Sequence, residues 1–488
     1  MTHGKSLVYG DCMDIMDRWL AEGHGGKVDL IYLDPPFNSK AKYNVLYGKE
    51  PANGAQAQVV AFTDTWEWGG GAAERMGDLS RNYSDAIKRT MDGLHAMLGE
   101  SGMLSYLSYM AQRLDRCRQM LAKTGNIYLH CDPTASHYLK ALMDAIFGAR
   151  NFRNEIIWHY ATGGASEWHY AKKHDVILFY SKGDEYYFGS HKVRVPRTPE
   201  VLRRIASGVS GATRATTATK LPMDVFTDIN ALNAMASERT GYPTQKPVAL
   251  LERIINASSE KGDLVLDPFC GCGTTVVAAN GLNRKWAGID ISAFPVELIS
   301  RARLHDIRGQ IHVEGIPHDM KGARLMAQKP FEFEKWAIAL TPGLNPNEQQ
   351  TADGGVDGRG WLERDIPGAV KPPAMKTPLV IAQVTKSPGA DLNKIRALHS
   401  SMKEKHALFG VYITLKKIDP TPSIRKIIAA AGRVKDRERE YQRLQLWSVE
   451  EYFTGREAKL PPLTTQRIFA RGAKGAKIIQ RDLESDSF

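Results

Sequence analysis

An acid, two prolines and an aromatic ring stand in a row at Asp34-Pro35-Pro36-Phe37, where the apolar run Val28-Asp29-Leu30-Ile31-Tyr32-Leu33 stops. Strands do end at prolines, because the ring removes a ladder donor and fixes φ. That covers most Asp-Pro pairs. It does not cover a carboxylate and a ring held together on a stiff turn at the carboxyl end of a strand. In open α/β sheets that end is where ligands sit.

A second chemical element, "LVLDPFCGCGTT", lies at 264–275 and reads as a strand, a glycine loop and a helix start. Gly271 and Gly273 let backbone approach a ligand closely, and the helix that follows points free N–H groups at a carboxylate or phosphate. Asp290 ends the next strand, "WAGID". An acid about 20 residues after such a loop receives a ribose hydroxyl pair, so the site holds a nucleoside cofactor. Thr274 and Thr275 stand where a dinucleotide loop would place its third glycine. No Gly-Lys-Ser/Thr ending follows, which disfavours a P-loop NTPase. Cys270 and Cys272 read as small packing residues of the loop.

The elements that must position these groups alternate. "SLVYGDCMDIMDRWLAEG" reads as a strand then a helix, and "VDLIYLDPPF" as a strand with its loop. "YLSYMAQRLDRCRQMLAKTG" has helical spacing up to Gly125, followed by the strand "NIYLHCD" and the helix "SHYLKALMDAIFG". "DVILFYSKG" is a further strand, and "KPVALLERIINASSEKG" a helix before the second motif. Such alternation means a mostly parallel sheet covered by helices. Glu50 to about Asn82, with Trp66 and Trp68, shows no period and reads as a lid or binding loop. A basic run follows the strand at 175–181. It carries Lys192, Arg194, Arg197, Arg203, Arg204, Arg214 and Lys220 against one acid, Glu200. By itself such a run is a solvated face. Pro- and Gly-rich text after about His318 suggests a linker into a second unit.

Bulk numbers agree with this plan. The 488 residues call for two or three domains, and 43% apolar with 24% charged residues is ordinary globular composition. The formal charge of +11 and pI near 9.2 point to a polyanionic partner, most simply nucleic acid. Five scattered cysteines without zinc spacing fit free thiols in a reducing cytoplasm. No run of about 18 apolar residues predicts a membrane span, and the first residues lack a signal-peptide pattern.

Taken in order, "GDCMDIM", "DPPF" at 34–37, "YPTQKP" at 242–247 and "DPFCGCGTT" at 267–275 resemble the S-adenosylmethionine-dependent amino-methyltransferases of DNA, in their circularly permuted β-type arrangement. The resemblance covers roughly residues 5–305. It implies a Rossmann-like methyltransferase fold with a mostly parallel seven-stranded sheet over 1–320, and a target-recognition region at about 160–240. It also implies double-stranded DNA as partner, with a homodimer and a cognate restriction endonuclease left open. Asp34, Pro35, Pro36 and Phe37 become the catalytic turn. The Asp34 carboxylate and Pro35 carbonyl would take both N–H groups of an exocyclic amine and free its lone pair for the cofactor methyl. Phe37 would stack on the extruded base. Adenine N6 is favoured over cytosine N4, whose enzymes more often carry serine at position 34. Asp11, Lys246, Asp267, Phe269, Gly271, Gly273, Thr274 and Asp290 become cofactor residues. Arg194, Arg197, Arg203 and Arg204 become phosphate contacts. Methyl transfer needs no metal, and His130, Asp132 and His137 receive no role. A cytosine-C5 enzyme would need a Pro-Cys nucleophile, and the chain has no Pro-Cys.

Residues 331–488 resemble the small restriction-endonuclease-like domain of some of these enzymes. Asp357 would be its metal acid and Gln383 its second position. Lysine should follow two residues on, but position 385 is threonine. Lys386 then points to the opposite strand face unless a bulge re-aims it. The expectation is a degenerate DNA-binding or assembly unit. A bifunctional restriction–modification fusion is the alternative.

Overall fold

The structure is a computed structural model that describes residues 4–36, 42–46, 58–63, 66, 68–160, 167–207, 217–232, 236, 238–240, 245–341, 343–346, 356–372, 377–387 and 391–463. In chain order its first strands are β1 (Lys5–Tyr9), β2 (Val28–Leu33), the hairpin β3 (Lys42–Leu46) and β4 (Gln58–Thr63), β5 (Leu121–Cys131), β6 (Phe152–His159) and β7 (His174–Ser181). β8 (Val195–Pro196) pairs with β9 (Thr219–Lys220). Then come β10 (Val225–Phe226), β11 (Leu264–Asp267), β12 (Lys285–Asp290) and β13 (His312–Glu314).

One nine-stranded sheet runs β10-β6-β7-β5-β2-β11-β12-β1-β13. Only β7 is antiparallel to its neighbours, β5 and β6. The expected seven strands are therefore nine, because the edge strands β10 and β13 have two and three residues, too few to show a period. β2 lies mid-sheet and is covered on both faces, so its residues read as a continuous apolar run. Leu30 and Tyr32 pack with Leu250, Leu251 and Ile254 of helix Val248–Ser258. Ile31 and Leu33 pack with Trp19 of helix Cys12–Ala21 and Leu107 of helix Gly102–Met120.

Two local expectations change. The helix expected to reach Gly125 stops at Met120, and Leu121 already pairs with Val28. The register then jumps to Leu30 opposite Asn126, so the residues between bulge out of the ladder. Sheet pairing has overridden helical spacing there. The stretch expected to be a structureless loop contains helix Gly70–Asn82, which buries only Ala72 and Leu79. Arg75 fastens it to helix Gly102–Met120 through Ser108 Oγ at 3.0 Å and Ser105 Oγ at 3.1 Å. So narrow an apolar stripe gives no readable period.

A second sheet follows. β14 (Asn345–Pro346), β15 (Gly358–Trp361), β16 (Leu379–Thr385) and β17 (Ala407–Thr414) are joined, beyond the hairpin β18 (Arg433–Asp436) and β19 (Arg439–Gln442), by β20 (Leu444–Ser448). Its order is β14-β15-β16-β17-β20, with β16, β17 and β20 parallel. Much of the stretch read as a linker is helical, as Met320–Met326 and Pro330–Ala339; 347–355 lies outside the described residues. Pro330 starts its helix at N1, where the missing N–H costs nothing. Phe333 and Trp336 on that helix are fully buried, and one apolar cluster runs from β1 and β2 through them to β16 and β17. Tyr9 Oη donates to Glu332 at 2.6 Å, and Arg301 donates to the Leu340 carbonyl at 2.8 Å. Trp336→Ala should therefore loosen both sheets. Truncating a buried tryptophan costs about 3–5 kcal/mol, so a melting temperature lowered by several degrees is expected. An unchanged melting curve would show that this helix does not join the two cores.

Candidate active site

Asp34, Pro35 and Pro36 directly follow β2, between the carboxyl ends of β5 and β11. Phe37 lies outside the described residues. Asp34 is not alone. Lys246 Nζ donates to both of its carboxylate oxygens, at 2.8 and 2.7 Å, and the two side chains are only 18% and 7% exposed. The lysine is held from its neighbour. Gln245 Oε1 accepts from the N–H and hydroxyl of Thr240, and Gln245 Nε2 donates to the Glu238 carbonyl at 2.7 Å. Glu238 Oε2 accepts the Val248 N–H at 3.0 Å, at the start of helix Val248–Ser258.

The glycine loop closes the other side. Gly273 has φ of +79° and caps helix Thr274–Gly281, and a Cβ there would stand 2.5 Å from Ile299. Only glycine fits that position. Gly271 N–H donates to Asp290 Oδ2 at 2.8 Å, and Ser292 N–H to Asp290 Oδ1 at 2.8 Å. Burial nevertheless pushes the Asp290 carboxyl up to about 6. Asp267, at the end of β11, accepts the Phe269 N–H at 3.0 Å, and burial pushes its carboxyl up to about 7 against that bond and one from Thr275. Arg303 braces the loop from behind, donating to the Cys272 carbonyl at 2.8 Å and to Thr274 Oγ1 at 3.2 Å. Cys270 and Cys272 are buried and their thiols are pushed up by burial, as packing residues require.

Asp11 caps helix Cys12–Ala21 by accepting the Met13 N–H at 2.8 Å, and it holds Arg113 Nη2 with both oxygens at 2.8 Å. Arg113 lies over the Tyr109 ring, 3.3 Å from its centroid. One cavity brings together Asp11, Asp34, Lys246, Asp267, Phe269, Gly271, Thr274 and Asp290, also touching Tyr32, Tyr109 and Pro36. Arg113 and Tyr109 were not singled out from sequence; their helix reads simply as amphipathic. Neither was a buried chain beside the turn that follows β2. Tyr32 Oη meets His130 Nδ1 at 2.8 Å, and His130 Nε2 meets Asp175 Oδ2 at 3.0 Å. Tyr160 Oη donates to Asp175 Oδ1 at 3.0 Å. Burial opposes ionisation of Asp175, but the bond and charge of His130, the charge of Lys246 and the bond from Tyr160 together outweigh it and hold the carboxyl below its usual range.

No described residue of the basic run lines the cavity, and Arg214 lies outside the described residues. Arg194, Arg203 and Arg204 are exposed, and Arg203 and Arg204 sit on helix Pro199–Ala206. Arg194 and Arg197 also fasten the β8–β9 pair, through Thr219 Oγ1 at 2.8 Å and the Thr217 carbonyl at 2.9 Å. In the second sheet, Asp357 Oδ2 accepts the Val384 N–H at 2.6 Å, and Gln383 is buried on β16. Lys386 is exposed beyond the strand end. The one register shift on β16 lies at Leu379/Val380, so no bulge re-aims Lys386.

Residues 28–301, more than half of the chain, match the N6_N4 family model described as DNA methylase, and the chain belongs to that family. It is 32% identical over 194 residues to the type II methyltransferase M.HpaI of Haemophilus parainfluenzae, covering 40% of this chain and 58% of that one. It is 24% identical over 291 residues to the DNA adenine methyltransferase YhdJ of Escherichia coli K12, covering 59% and 79%. Among solved structures, the M1.HpyAVI–SAM complex is 17% identical over 61% of this chain and 98% of that one, with a TM-score of 0.35. The cytosine-N4-specific PvuII DNA methyltransferase is 12% identical over 64% and 95%, with a TM-score of 0.38.

The raised carboxyl of Asp267 has a consequence for stability. Its folded value, about 7, lies above the ordinary 3.8, so the folded chain binds this proton more tightly than the unfolded chain. Its contribution is full at low pH and is lost as pH rises through about 7. Asp267→Asn should therefore flatten the fall in melting temperature of the ligand-free protein between weakly acidic and weakly alkaline buffer. Equal falls in variant and wild type would contradict the burial of this acid.

Proposed function

We propose that this member of the DNA methylase family is a site-specific, S-adenosylmethionine-dependent methyltransferase acting on adenine N6 in double-stranded DNA. The observation that carries the reading is Asp34, which follows a mid-sheet strand at its carboxyl end and lines one cavity with Pro36, the glycine loop and Asp290. The cavity residues fit the cofactor. Asp290 has its carboxylate fixed by two backbone N–H groups, and each oxygen keeps a lone pair for a ribose hydroxyl. Gly271, at a φ of 48°, presents backbone to the cavity, and the carboxylates around it suit a cationic guest. S-adenosylmethionine, when bound, supplies the electrophilic methyl group.

The chain's own residues do the rest. Asp34 and the Pro35 carbonyl accept the two amine hydrogens, and the stiff prolines keep the acceptors in place before the base arrives. Lys246 fixes the plane of the Asp34 carboxylate through both oxygens. Phe37 offers a ring to the extruded base, and Arg194, Arg197, Arg203 and Arg204 meet phosphates. Cytosine N4 is the alternative, since its amine presents the same pair of hydrogens. Mass spectrometry of nucleosides from treated DNA distinguishes the two.

Asp34→Ala should lower methyl transfer by several orders of magnitude while cofactor affinity, measured by calorimetry, stays near that of the wild type. Near-normal turnover would remove Asp34 from the chemistry. For residues 331–488 we favour DNA binding or assembly without cleavage, supported by Asp357 being tied to the Val384 N–H and by Lys386 lying off the strand. Supercoiled plasmid incubated with Mg²⁺ or Mn²⁺ should stay uncut. Cleavage that disappears in Asp357→Ala would establish the fusion instead.

A further inference from the structure

Among the described residues, the two most exposed large apolar side chains are Trp168, at 85%, and Tyr170, at 98%. Rings of this size are ordinarily buried or held at an interface. They stand on the segment between β6 and β7, with His169, Lys172, Lys173 and His174 beside them and Glu167 as the one acid of that segment. Cations interleaved with rings match a polyanion that also offers flat faces.

Topology places this segment beside the catalytic turn. β5 runs parallel to β2, with Leu129 opposite Leu33. β7 runs antiparallel to β5, with Val176 opposite Cys131, and His174 lies opposite His159 of β6. The chain passing from β6 into β7 thus leaves the sheet at the edge where Asp34 follows β2. Its base is fixed. Tyr160 and His130 hold the two oxygens of Asp175 at 3.0 Å each, and His130, fully buried, holds Tyr32 at 2.8 Å. Tyr32 stands two residues before Asp34. A polar chain therefore ties the base of the exposed aromatic segment to the strand that carries the catalytic acid.

We propose that Trp168 and Tyr170 form an aromatic wedge that enters the base stack of duplex DNA beside the target, filling the gap left by the extruded base, while Lys172 and Lys173 meet adjacent phosphates. This rests on methyl transfer to an extruded base. An amine inside the duplex is out of reach, and extrusion breaks stacking that something must replace. Rings stack on any base, so a wedge works whatever the recognition sequence.

The test compares wild type with Trp168→Ala/Tyr170→Ala and with Trp168→Phe/Tyr170→Phe, on plasmid DNA with labelled S-adenosylmethionine and on a short synthetic duplex for affinity. The alanine pair should lose at least about tenfold in kcat/KM and bind duplex more weakly, since stacking on a ring is lost. Its salt dependence should keep the wild-type slope, because no phosphate contact is removed. Cofactor affinity and melting temperature should be unchanged, and the phenylalanine pair should recover most of the loss. Wild-type kcat/KM in the alanine pair, the same loss in the phenylalanine pair, or a flattened salt slope would each overturn the wedge. If the alanine pair melts early, Tyr170→Ala alone replaces it, since that ring touches almost nothing. If wild type itself transfers no methyl group to DNA, the catalytic reading fails and duplex affinity alone decides: equal affinities would overturn the wedge as well.

Discussion

Four carboxylates, from Asp11, Asp34, Asp267 and Asp290, converge on one recessed cavity, and the structure around it is arranged to tolerate them. Burying an ion costs several kcal/mol unless a partner and further hydrogen bonds offset it. Two of the four have cations held in two-oxygen contacts: Lys246 on Asp34 and Arg113 on Asp11. The other two rely on backbone N–H groups and a hydroxyl, and their carboxyls rise to about 6 and about 7. Cations neutralise the first two, and the second two hold their protons more tightly than a free carboxyl does. A guest bearing positive charge relieves the repulsion that remains, whereas an anionic guest would worsen it. On the proposed function, this charge balance suits a sulfonium-bearing cofactor better than a dinucleotide with its pyrophosphate.

The two cations reach their acids from far along the chain, 212 residues from Asp34 and 102 from Asp11. That explains which parts of the site were legible in the sequence. Asp34-Pro35-Pro36 and the loop from Asp267 to Thr275 are local devices, in which proline stiffness and glycine freedom speak through neighbouring residues. Their placement at strand ends follows from the alternation of strands and helices, and the sheet contains each strand expected of it. Arg113 and Tyr109 gave no such signal, because a cation on an amphipathic helix looks like any solvated residue until the fold supplies its acid. Lys246 was visible only inside a recognised segment, and its bond to Asp34 was not. The edge strands, the bulge after Leu121 and helix Gly70–Asn82 were missed for a related reason. Each depends on what it packs against rather than on its own period.

The same contrast separates the two halves of the chain. Motifs mark the first half, whereas the second sheet is marked only by composition and one weak triad of positions. Yet the boundary between them is physically tight. Helix Pro330–Ala339 places Ile338 against β15 so closely that a Cβ on Gly358 would stand 2.6 Å from it. Tyr9, on β1, reaches Glu332 on the same helix. A strand next to β12, whose end carries Asp290, is thereby joined to the helix that supports the second sheet. Whatever the second sheet binds, its position relative to the cavity is set by a packed core and not by a flexible tether.

Rigidity of this kind matters for a reaction on an extruded base. On the proposed function, the acceptors at Asp34 would have to meet an amine whose position is dictated by the DNA backbone some distance away, and a small misplacement would cost much of the rate. Elements that gripped the duplex would then have to share a frame with the turn that follows β2. The strand pair β6–β7 meets that condition, since its antiparallel ladder to β5 continues into the parallel ladder to β2. The polar chain from Tyr160 through Asp175 and His130 to Tyr32 crosses the same strands in the buried interior. A fully buried histidine with both ring nitrogens engaged has one orientation open to it, so the chain cannot shear without breaking a bond in a low-dielectric setting. The base of the aromatic segment and Asp34, two residues after Tyr32, are thus held as parts of one body, so that on the proposed function DNA held by one would be presented in register to the other.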